Sequence, residues 1–229
     1  MNREIWKIDF FGEMQPTNWL CSKCFIGSLF PKSKPVLIGD DRFIAHLKCS
    51  HIDCRKEYGC LGEVRFFSSS TRTEVSKIYY GAKYKQFYPL HFTPILQLFP
   101  VNSSVPQSVV TSLEQSFDAF WKDTWSSANA LRRALEKLLD ELGVPMAKAL
   151  HQRIESSQGY GLDHTQLFSA IKLIGNTGSH GNPLIKDDLL DAYTIFEHCL
   201  GELYRSGDKN SAFRLAQDII TRQGGRLKT

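Results

Sequence analysis

Two pairs of cysteines constrain the fold of this chain more than any other feature of its sequence. Two residues separate Cys21 from Cys24, four separate Cys49 from Cys54, and 24 residues lie between the pairs. Paired cysteines on short turns can deliver four thiolates to one tetrahedral Zn²⁺. Because four thiolates leave no coordination position for water, the predicted zinc is structural and not catalytic. The alternative is a set of free thiols with no metal between them.

The layout of the cysteines resembles a zinc ribbon, although the second spacing is wider than in the tightest ribbon pattern. His51 lies between Cys49 and Cys54 and could replace one of them as a ligand. Cys60 precedes an apolar segment and is expected to be a buried small side chain. A small β domain would gain much of its folding free energy from such a metal.

The N-terminus and the overall charge bear on the cellular compartment and on partners. Residues 1–7 carry charges where a signal peptide needs an apolar core, and no run of about 18 apolar residues could span a membrane. We therefore expect a cytoplasmic protein, in which thiols stay reduced and metal binding is favoured over disulfides. A formal charge of +4 and an isoelectric point near 8.7 are compatible with nucleic-acid binding but do not require it.

The first part of the chain has the pattern of short strands. Apolar runs separated by Pro, Gly, Asp and Ser predict strands over residues 34–38, 43–47, 62–67 and 75–87. Prolines at 89, 94, 100 and 106 exclude a helix and predict a strand followed by a linker. We therefore place a domain boundary near Ser103.

The rest of the chain has the apolar period of α-helices. The pattern predicts helices over residues 108–125, 126 or 127 to 142, 147–156, 164–174, 185–206 and 209–221. Short connections between them favour an antiparallel bundle. The predicted fold class is therefore α+β: a small β-rich zinc-ribbon domain over residues 1–103, followed by an antiparallel α-helical bundle over residues 104–229.

A glycine-rich joint interrupts the helical part. Gly175, Gly178 and Gly181 follow an apolar helical pattern and are interleaved with Asn176 and His180. Glycine ends helices because it accepts the left-handed conformation at no steric cost. A lone imidazole in this joint is either part of a functional site or only a capping or packed histidine in a turn.

Two segments of the helical part resemble a known family. The run from Ala128 to Glu136, Ala-Asn-Ala-Leu-Arg-Arg-Ala-Leu-Glu, is followed in order by Ile174-Gly-Asn-Thr-Gly-Ser-His180 and a helix rich in Leu and Tyr. This order resembles the bacterial family catalogued as domain of unknown function 4145, over residues 105–205. That family is similar to the HEPN superfamily of small helical bundles.

The resemblance implies two kinds of function. Many HEPN proteins are metal-independent ribonucleases that dimerise and bring together two copies of an Arg-x(4–6)-His motif, whereas others are non-catalytic binding bundles. His180 matches the family's histidine, and Asn176 lies at the polar position four residues before it. The nearest upstream basic residue is Lys172, with seven intervening residues in place of four to six. An intact motif would favour the enzyme, and this departure favours the binding bundle.

The chemistry of RNA cleavage suggests roles for these residues. Transesterification needs proton transfer at two oxygens and a cation to stabilise the phosphorane, and histidine titrates in a suitable range. His180 is the candidate for proton transfer, Asn176 would orient it or the phosphate, and Arg132 or Lys172 would supply the charge. Arg133 with Glu136 is interpreted as a surface ion pair. The alternative is that both arginines are solvated helix-surface residues.

An aromatic stripe suggests a dimer. Phe117, Phe120, Trp121 and Trp125 recur at helical spacing, as in a core or a dimer seam. The leading hypothesis is a cytoplasmic homodimer that binds or cleaves RNA, with defence against phage as the setting that the resemblance implies. The alternative is a non-enzymatic protein or nucleic-acid interaction module with a structural zinc site.

Overall fold

The computed structural model describes residues 1–68, 83–160, 164–177 and 184–204. The start of the predicted strand 75–87, most of the glycine joint and the predicted helix 209–221 lie outside the described residues. Within them the fold class is α+β, as the sequence predicts.

Five antiparallel strands form one sheet in the first half of the chain. They are β1 (Leu29–Pro31), β2 (Val36–Ile38), β3 (Arg42–Cys49), β4 (Glu57–Ser68) and β5 (Lys83–Thr93). The order is β1-β3-β4-β5, and β2 pairs with the other end of β3. Side chains alternate between the two faces of β3 because successive residues of a strand point to opposite sides.

Strand β5 runs on from Phe87 through Pro89, in the proline-punctuated segment where the sequence predicts a strand before the linker. The register of β4 with β5 shifts between Leu61 and Gly62, so that Leu61 pairs with His91 and Gly62 with Pro89. Proline removes one ladder hydrogen bond, and such irregularities are where a strand tolerates it. The prolines at 94 and 100 do lie beyond the strand, as predicted.

Six α-helices occur among the described residues. They are α1 (Glu4–Lys7), α2 (Gln107–Ala119), α3 (Thr124–Glu141), α4 (Leu150–Ser156), α5 (Thr165–Thr177) and α6 (Lys186–Tyr204). None of these helices has the length and apolar content needed to cross a bilayer. Helix α3 packs against α2 and α5, and α5 packs against α6.

The first predicted helix of this half, residues 108–125, ends earlier than its apolar pattern suggests. Helix α2 stops at Ala119 because Asp123 begins a new helix. The Asp123 carboxylate accepts hydrogen bonds from the backbone N–H groups of Trp125 (3.1 Å) and Ser126 (2.9 Å). An N-cap of this type satisfies donors that the first turn of a helix leaves free.

The sheet and the helices bury side chains against one another. The Trp121 ring centroid lies 4.9 Å from that of Trp19 and 4.9 Å from that of Phe92. Phe117, Phe120 and Trp121 are all buried within the chain. The aromatic stripe that motivates the dimer prediction is therefore largely covered by the protein itself, and the homodimer stays a prediction.

Buried hydroxyl groups tie three helices together. The Tyr193 hydroxyl on α6 lies 2.6 Å from Ser116 Oγ on α2 and 2.7 Å from Ser127 Oγ on α3. Each serine hydroxyl also donates to the backbone carbonyl of the other serine. All of these groups are buried, and buried polar groups need such partners.

Candidate metal centre and polar cluster

The first cysteine turn is closed by backbone hydrogen bonds. Phe25 N–H donates to Cys21 O (2.8 Å), and Cys21 N–H donates to Gly27 O (2.8 Å). Phe25, directly after Cys24, has a left-handed backbone with φ of 51°. This conformation is uncommon for a residue with a side chain, and it reverses the chain right after the second thiol.

The second cysteine turn repeats this arrangement between β3 and β4. Cys49 is the last residue of β3, and its N–H donates to Lys56 O (2.8 Å). Arg55, directly after Cys54, is left-handed with φ of 48°, and its N–H donates to His51 O (3.2 Å). The same local device therefore places both pairs of thiols.

The pairing of β1 with β3 brings the two turns together. Leu29 pairs with Cys49, and Ser50 N–H donates to Ser28 O (2.9 Å). Gly27 permits this approach, because a Cβ atom there would lie 2.6 Å from Cys49 Sγ and 2.6 Å from His51 N. Real Cβ atoms do not approach other heavy atoms this closely, so the contact requires glycine.

The four predicted sulfurs form one compact group. The Sγ atoms of Cys21, Cys24, Cys49 and Cys54 all lie within 4.8 Å of one another. Two separations between thiols of different turns are 3.6 Å for Cys21 with Cys54 and 3.6 Å for Cys24 with Cys49. Tetrahedral coordination at about 2.3 Å places sulfurs about 3.8 Å apart, whereas a disulfide bond is about 2.05 Å long. The cysteines are free, and their spacing suits a metal ion.

The electrostatics of the cluster also suit a cation. Burial raises the pKa of the Cys24 thiol, but N–H groups of Gly27 and Ile26 donate to its sulfur and lower the pKa to about 6. Burial raises the pKa of Cys49 to about 12, although the His51 N–H donates to its sulfur. Several thiolates this close repel one another, and a bound divalent cation would let all four ionise.

Three neighbouring residues are not part of the sulfur group. His51 does not join it, and its Nδ1 is buried with no hydrogen-bond partner among the described residues. Cys60 is buried in β4, which confirms the prediction of a small core side chain. The Tyr58 hydroxyl lies 3.4 Å from Cys21 Sγ and 2.9 Å from Ser22 Oγ. Tyr58 could not be identified from the sequence, because nothing local marks a strand tyrosine as a neighbour of the cysteines.

A polar cluster lies where α3 meets α5. Arg132 Nη1 donates to Asn176 Oδ1 (2.9 Å), and Arg132 Nε lies 3.3 Å from Glu136 Oε1. Two of the predicted site residues, Arg132 and Asn176, are therefore in direct contact. The helices meet at Gly175, where a Cβ atom would lie 2.7 Å from Arg132 Cβ.

Glu136 pairs with a different arginine from the one the sequence suggests. Arg132 forms the ion pair at i,i+4, whereas Arg133 Nη2 donates to Gln115 Oε1 at 3.4 Å. The predicted pair of Arg133 with Glu136 is wrong. Arg132, which also contacts Asn176 of α5, lies one helical turn before Glu136 and pairs with it instead. Neither arginine is a purely solvated side chain.

The remaining predicted residues lie on or after α5. Lys172 is half-buried on α5, one turn before Asn176. His180 lies three residues beyond the end of α5 and outside the described residues. A role for either residue stays a prediction.

Other histidines have clear partners. His198 is exposed, as its helical phase predicts, and lies 3.5 Å from Glu202. His91 Nδ1 lies 2.6 Å from Asp118 Oδ1, a contact between β5 and α2 that no local pattern announces.

Comparison with known proteins agrees with one part of this description. A family model described as a domain of unknown function (DUF4145) matches residues 114–222. This match includes the second half of α2, all of α3 to α6 and the polar cluster, and it leaves the cysteine cluster outside. It supports the resemblance seen in the sequence over residues 105–205. Comparison with curated proteins finds no match, and comparison with solved structures finds none.

Proposed function

We propose that the helical half of this protein binds and cleaves RNA, as a HEPN-like bundle. The observation that carries the proposal is the contact of Arg132 with Asn176, which lies four residues before His180 in the sequence. This contact brings a cation and an amide together from two different helices, and His180 follows α5 in the sequence. The setting in defence against phage and the homodimer are implied by the family resemblance and belong to the same proposal.

The proposed roles follow from what each group can donate or accept. His180 transfers a proton at the 2′-hydroxyl or the leaving 5′-oxygen, and Asn176 orients it or the phosphate. Arg132 supplies positive charge, since its guanidinium carries five donors in a planar fork. One donor is used on Asn176, and Nε has no partner with hydrogen-bond geometry among the described residues. Lys172 is the second candidate for this charge.

The test compares two histidine variants. His180→Ala should lower RNA cleavage by on the order of 10²–10⁴-fold, the usual contribution of a positioned proton-transfer group. His198→Ala removes an exposed histidine on α6 and is the matched control, with activity unchanged. A chelator added to folded protein should leave the rate unchanged during the assay, because no catalytic metal is proposed. Wild-type protein that cleaves no RNA would contradict the cleavage proposal.

We assign zinc to the cysteine cluster as a structural metal. The assignment is supported by four thiols with tetrahedral spacing, and all-sulfur sites of this geometry take zinc or iron. Cys21, Cys24, Cys49 and Cys54 would hold the ion and leave no position for a substrate. Elemental analysis should find one zinc per chain in a colourless protein. Iron with visible absorption would contradict the assignment of zinc but not the ligands.

A second candidate function is a non-enzymatic interaction module. The observation that favours it is the ion pair of Arg132 with Glu136, which already compensates the charge that catalysis would use. If this is the function, RNA or a protein partner binds equally well to the wild type and to His180→Ala, with no cleavage by either. Loss of cleavage in His180→Ala alone would exclude this candidate.

A further inference from the structure

A pocket of about 510 Å³ lies along α3, between α2 and the segment that leads from α3 into α4. Its walls come from three places in the chain: Gln115 of α2, the second half of α3, and residues 146–150 with Arg153. A volume of this size is typical of sites that hold small organic ligands. Of the predicted cleavage residues that the structure describes, only Arg132 lines this pocket.

The pocket has an excess of positive charge. Five cationic and two carboxylate side chains line it. Arg153 is buried, and its Nη2 donates to Asp140 (2.7 Å) and to Val144 O (2.7 Å), so it serves the fold. Lys137 also pairs with Asp140, and Arg132 pairs with Glu136. Both carboxylates are therefore already compensated.

Two cations of the pocket have no carboxylate partner among the described residues. Arg133 is exposed, and within that part of the chain its partner is the neutral Gln115 amide, at 3.4 Å. Lys148 is exposed and has no polar partner within the residues that the structure describes. An anion entering the pocket would meet both charges without displacing an existing ion pair. Arginine also matches the oxygens of a phosphate with two parallel hydrogen bonds.

An apolar wall adjoins these cations. Met146 is 80% exposed, and Leu150 and Ala147 line the same pocket. A large apolar side chain beside uncompensated cations suits a ligand with an anionic end and a flat apolar body. Methionine adapts to such a body and makes favourable contacts with aromatic rings.

We infer that this pocket binds a nucleotide-sized phosphate ester. The phosphate lies against Arg133 and Lys148, and the base lies against Met146 and Leu150. This site goes beyond the proposed function, because it takes a small phosphorylated ligand and needs neither His180 nor Asn176.

Calorimetric titration with adenosine monophosphate tests the inference. The nucleotide should bind at least tenfold more tightly than either adenosine or inorganic phosphate alone, because only the nucleotide uses both walls. Raising the salt from about 0.05 M to about 0.2 M should weaken binding, as screening requires. No binding at millimolar nucleotide would overturn the inference.

Charge variants locate the site. Arg133→Gln combined with Lys148→Gln should weaken nucleotide binding at least tenfold, and Met146→Ala should weaken nucleotide binding but not phosphate binding. Lys34→Gln is the matched control, because this exposed lysine belongs to the sheet half of the chain and does not line the pocket. Its ion pair with Glu13 is long, at 3.7 Å. Each altered residue is exposed, so unchanged thermal unfolding should accompany the loss. Binding that persists in the double variant would place the ligand elsewhere and overturn the inference.

A further pair of measurements separates this site from RNA cleavage. His180→Ala should bind the nucleotide as tightly as the wild type, which supports the pocket whether or not RNA is cleaved. If cleavage depends on His180 while the nucleotide fails to bind, the pocket inference alone is contradicted. Binding of RNA through Arg133 and Lys148 without binding of the nucleotide would also overturn it.

Discussion

The cysteine region (residues 20–57) and the helical region (residues 107–204) are held together by different means. Strands β1 and β2 are three residues long, and β2 is exposed along its whole length. The helical region instead buries long apolar rows, such as Leu131, Leu135 and Leu138 on α3. Because β1 and β2 bury little apolar surface against the entropy of ordering, we expect the cysteine region to depend on metal coordination, whereas the helices depend on packing.

The two regions are nevertheless joined. Trp121 of the helical region packs on Trp19, which lies two residues before Cys21, and on Phe92 of β5. Lys186 Nζ at the start of α6 lies 4.6 Å from the Phe120 ring centroid and is largely withdrawn from water, and this burial lowers its pKa. The two regions are therefore packed together, although they differ in what stabilises them.

Removing one thiol should have the largest effect. Cys24→Ser should abolish stoichiometric metal binding and unfold the cysteine region, because a structural zinc contributes on the order of 10 kcal/mol that is also folding free energy. Far-ultraviolet circular dichroism should show the helices retained. The control is Cys60→Ala, outside the sulfur group, which should keep one metal per chain and cost about 1 kcal/mol. Equal metal loss in both variants would contradict the cysteine assignment.

Truncating the tryptophan that joins the regions should have the next largest effect. Trp121→Ala should lower the free energy of unfolding by about 3–5 kcal/mol, because the substitution leaves a cavity between the two regions. Trp125→Ala, which is only half-buried, should cost clearly less. Unfolding monitored by metal release and by the helical circular dichroism signal should give two separate transitions in Trp121→Ala. In the wild type the two transitions should coincide. Coincident transitions in both proteins would show that Trp121 does not couple the regions.

Glycine substitutions distinguish tight packing from open space. Gly175→Ala should destabilise the protein by about 1–3 kcal/mol, because its Cβ would lie 2.7 Å from Arg132 Cβ. On helix propensity alone the same change should stabilise by about 1 kcal/mol. The control in the sheet is Gly59→Ala, where the nearest atom is Thr93 O at 3.7 Å, an ordinary contact. A more stable Gly175→Ala protein would contradict the close approach of α3 and α5.

The smallest expected effect concerns the cap of α3. Asp123→Ala should cost about 1 kcal/mol at neutral pH, since it removes the acceptor for two backbone donors. The Ser126 hydroxyl and backbone N–H groups donate to the carboxylate and lower the pKa of Asp123. The stabilisation that the ionised Asp123 cap gives the folded protein is therefore present above the unfolded pKa of about 3.9. It is lost as the pH falls through the lower pKa of the folded state. Asp123→Asn, compared by thermal unfolding, should keep part of the cap but lose this acid dependence; identical acid profiles would contradict it.

Local chemistry was enough to predict several features. The spacing of Cys21, Cys24, Cys49 and Cys54 predicted the sulfur group because each pair lies on its own short turn. The helical periods of α2 to α6 were correct, but the end of α2 was not, since apolar periodicity does not show that Asp123 caps a new helix. A strand in the segment that contains Pro89 was predicted, but its pairing was not, because tolerance of Pro89 depends on the register of its partner strand.

The sequence by itself determined which four cysteines come together, the order of strands and then helices, and Arg132 and Asn176 as candidate residues of one site. Only the tertiary structure decided that Trp121 packs on the sheet, that Arg132 and not Arg133 pairs with Glu136, and that uncompensated cations and Met146 share a pocket. The physical reason is the range of the interactions. Turns and helical periods depend on residues a few positions apart, whereas these contacts join elements that are brought together only when the whole core packs.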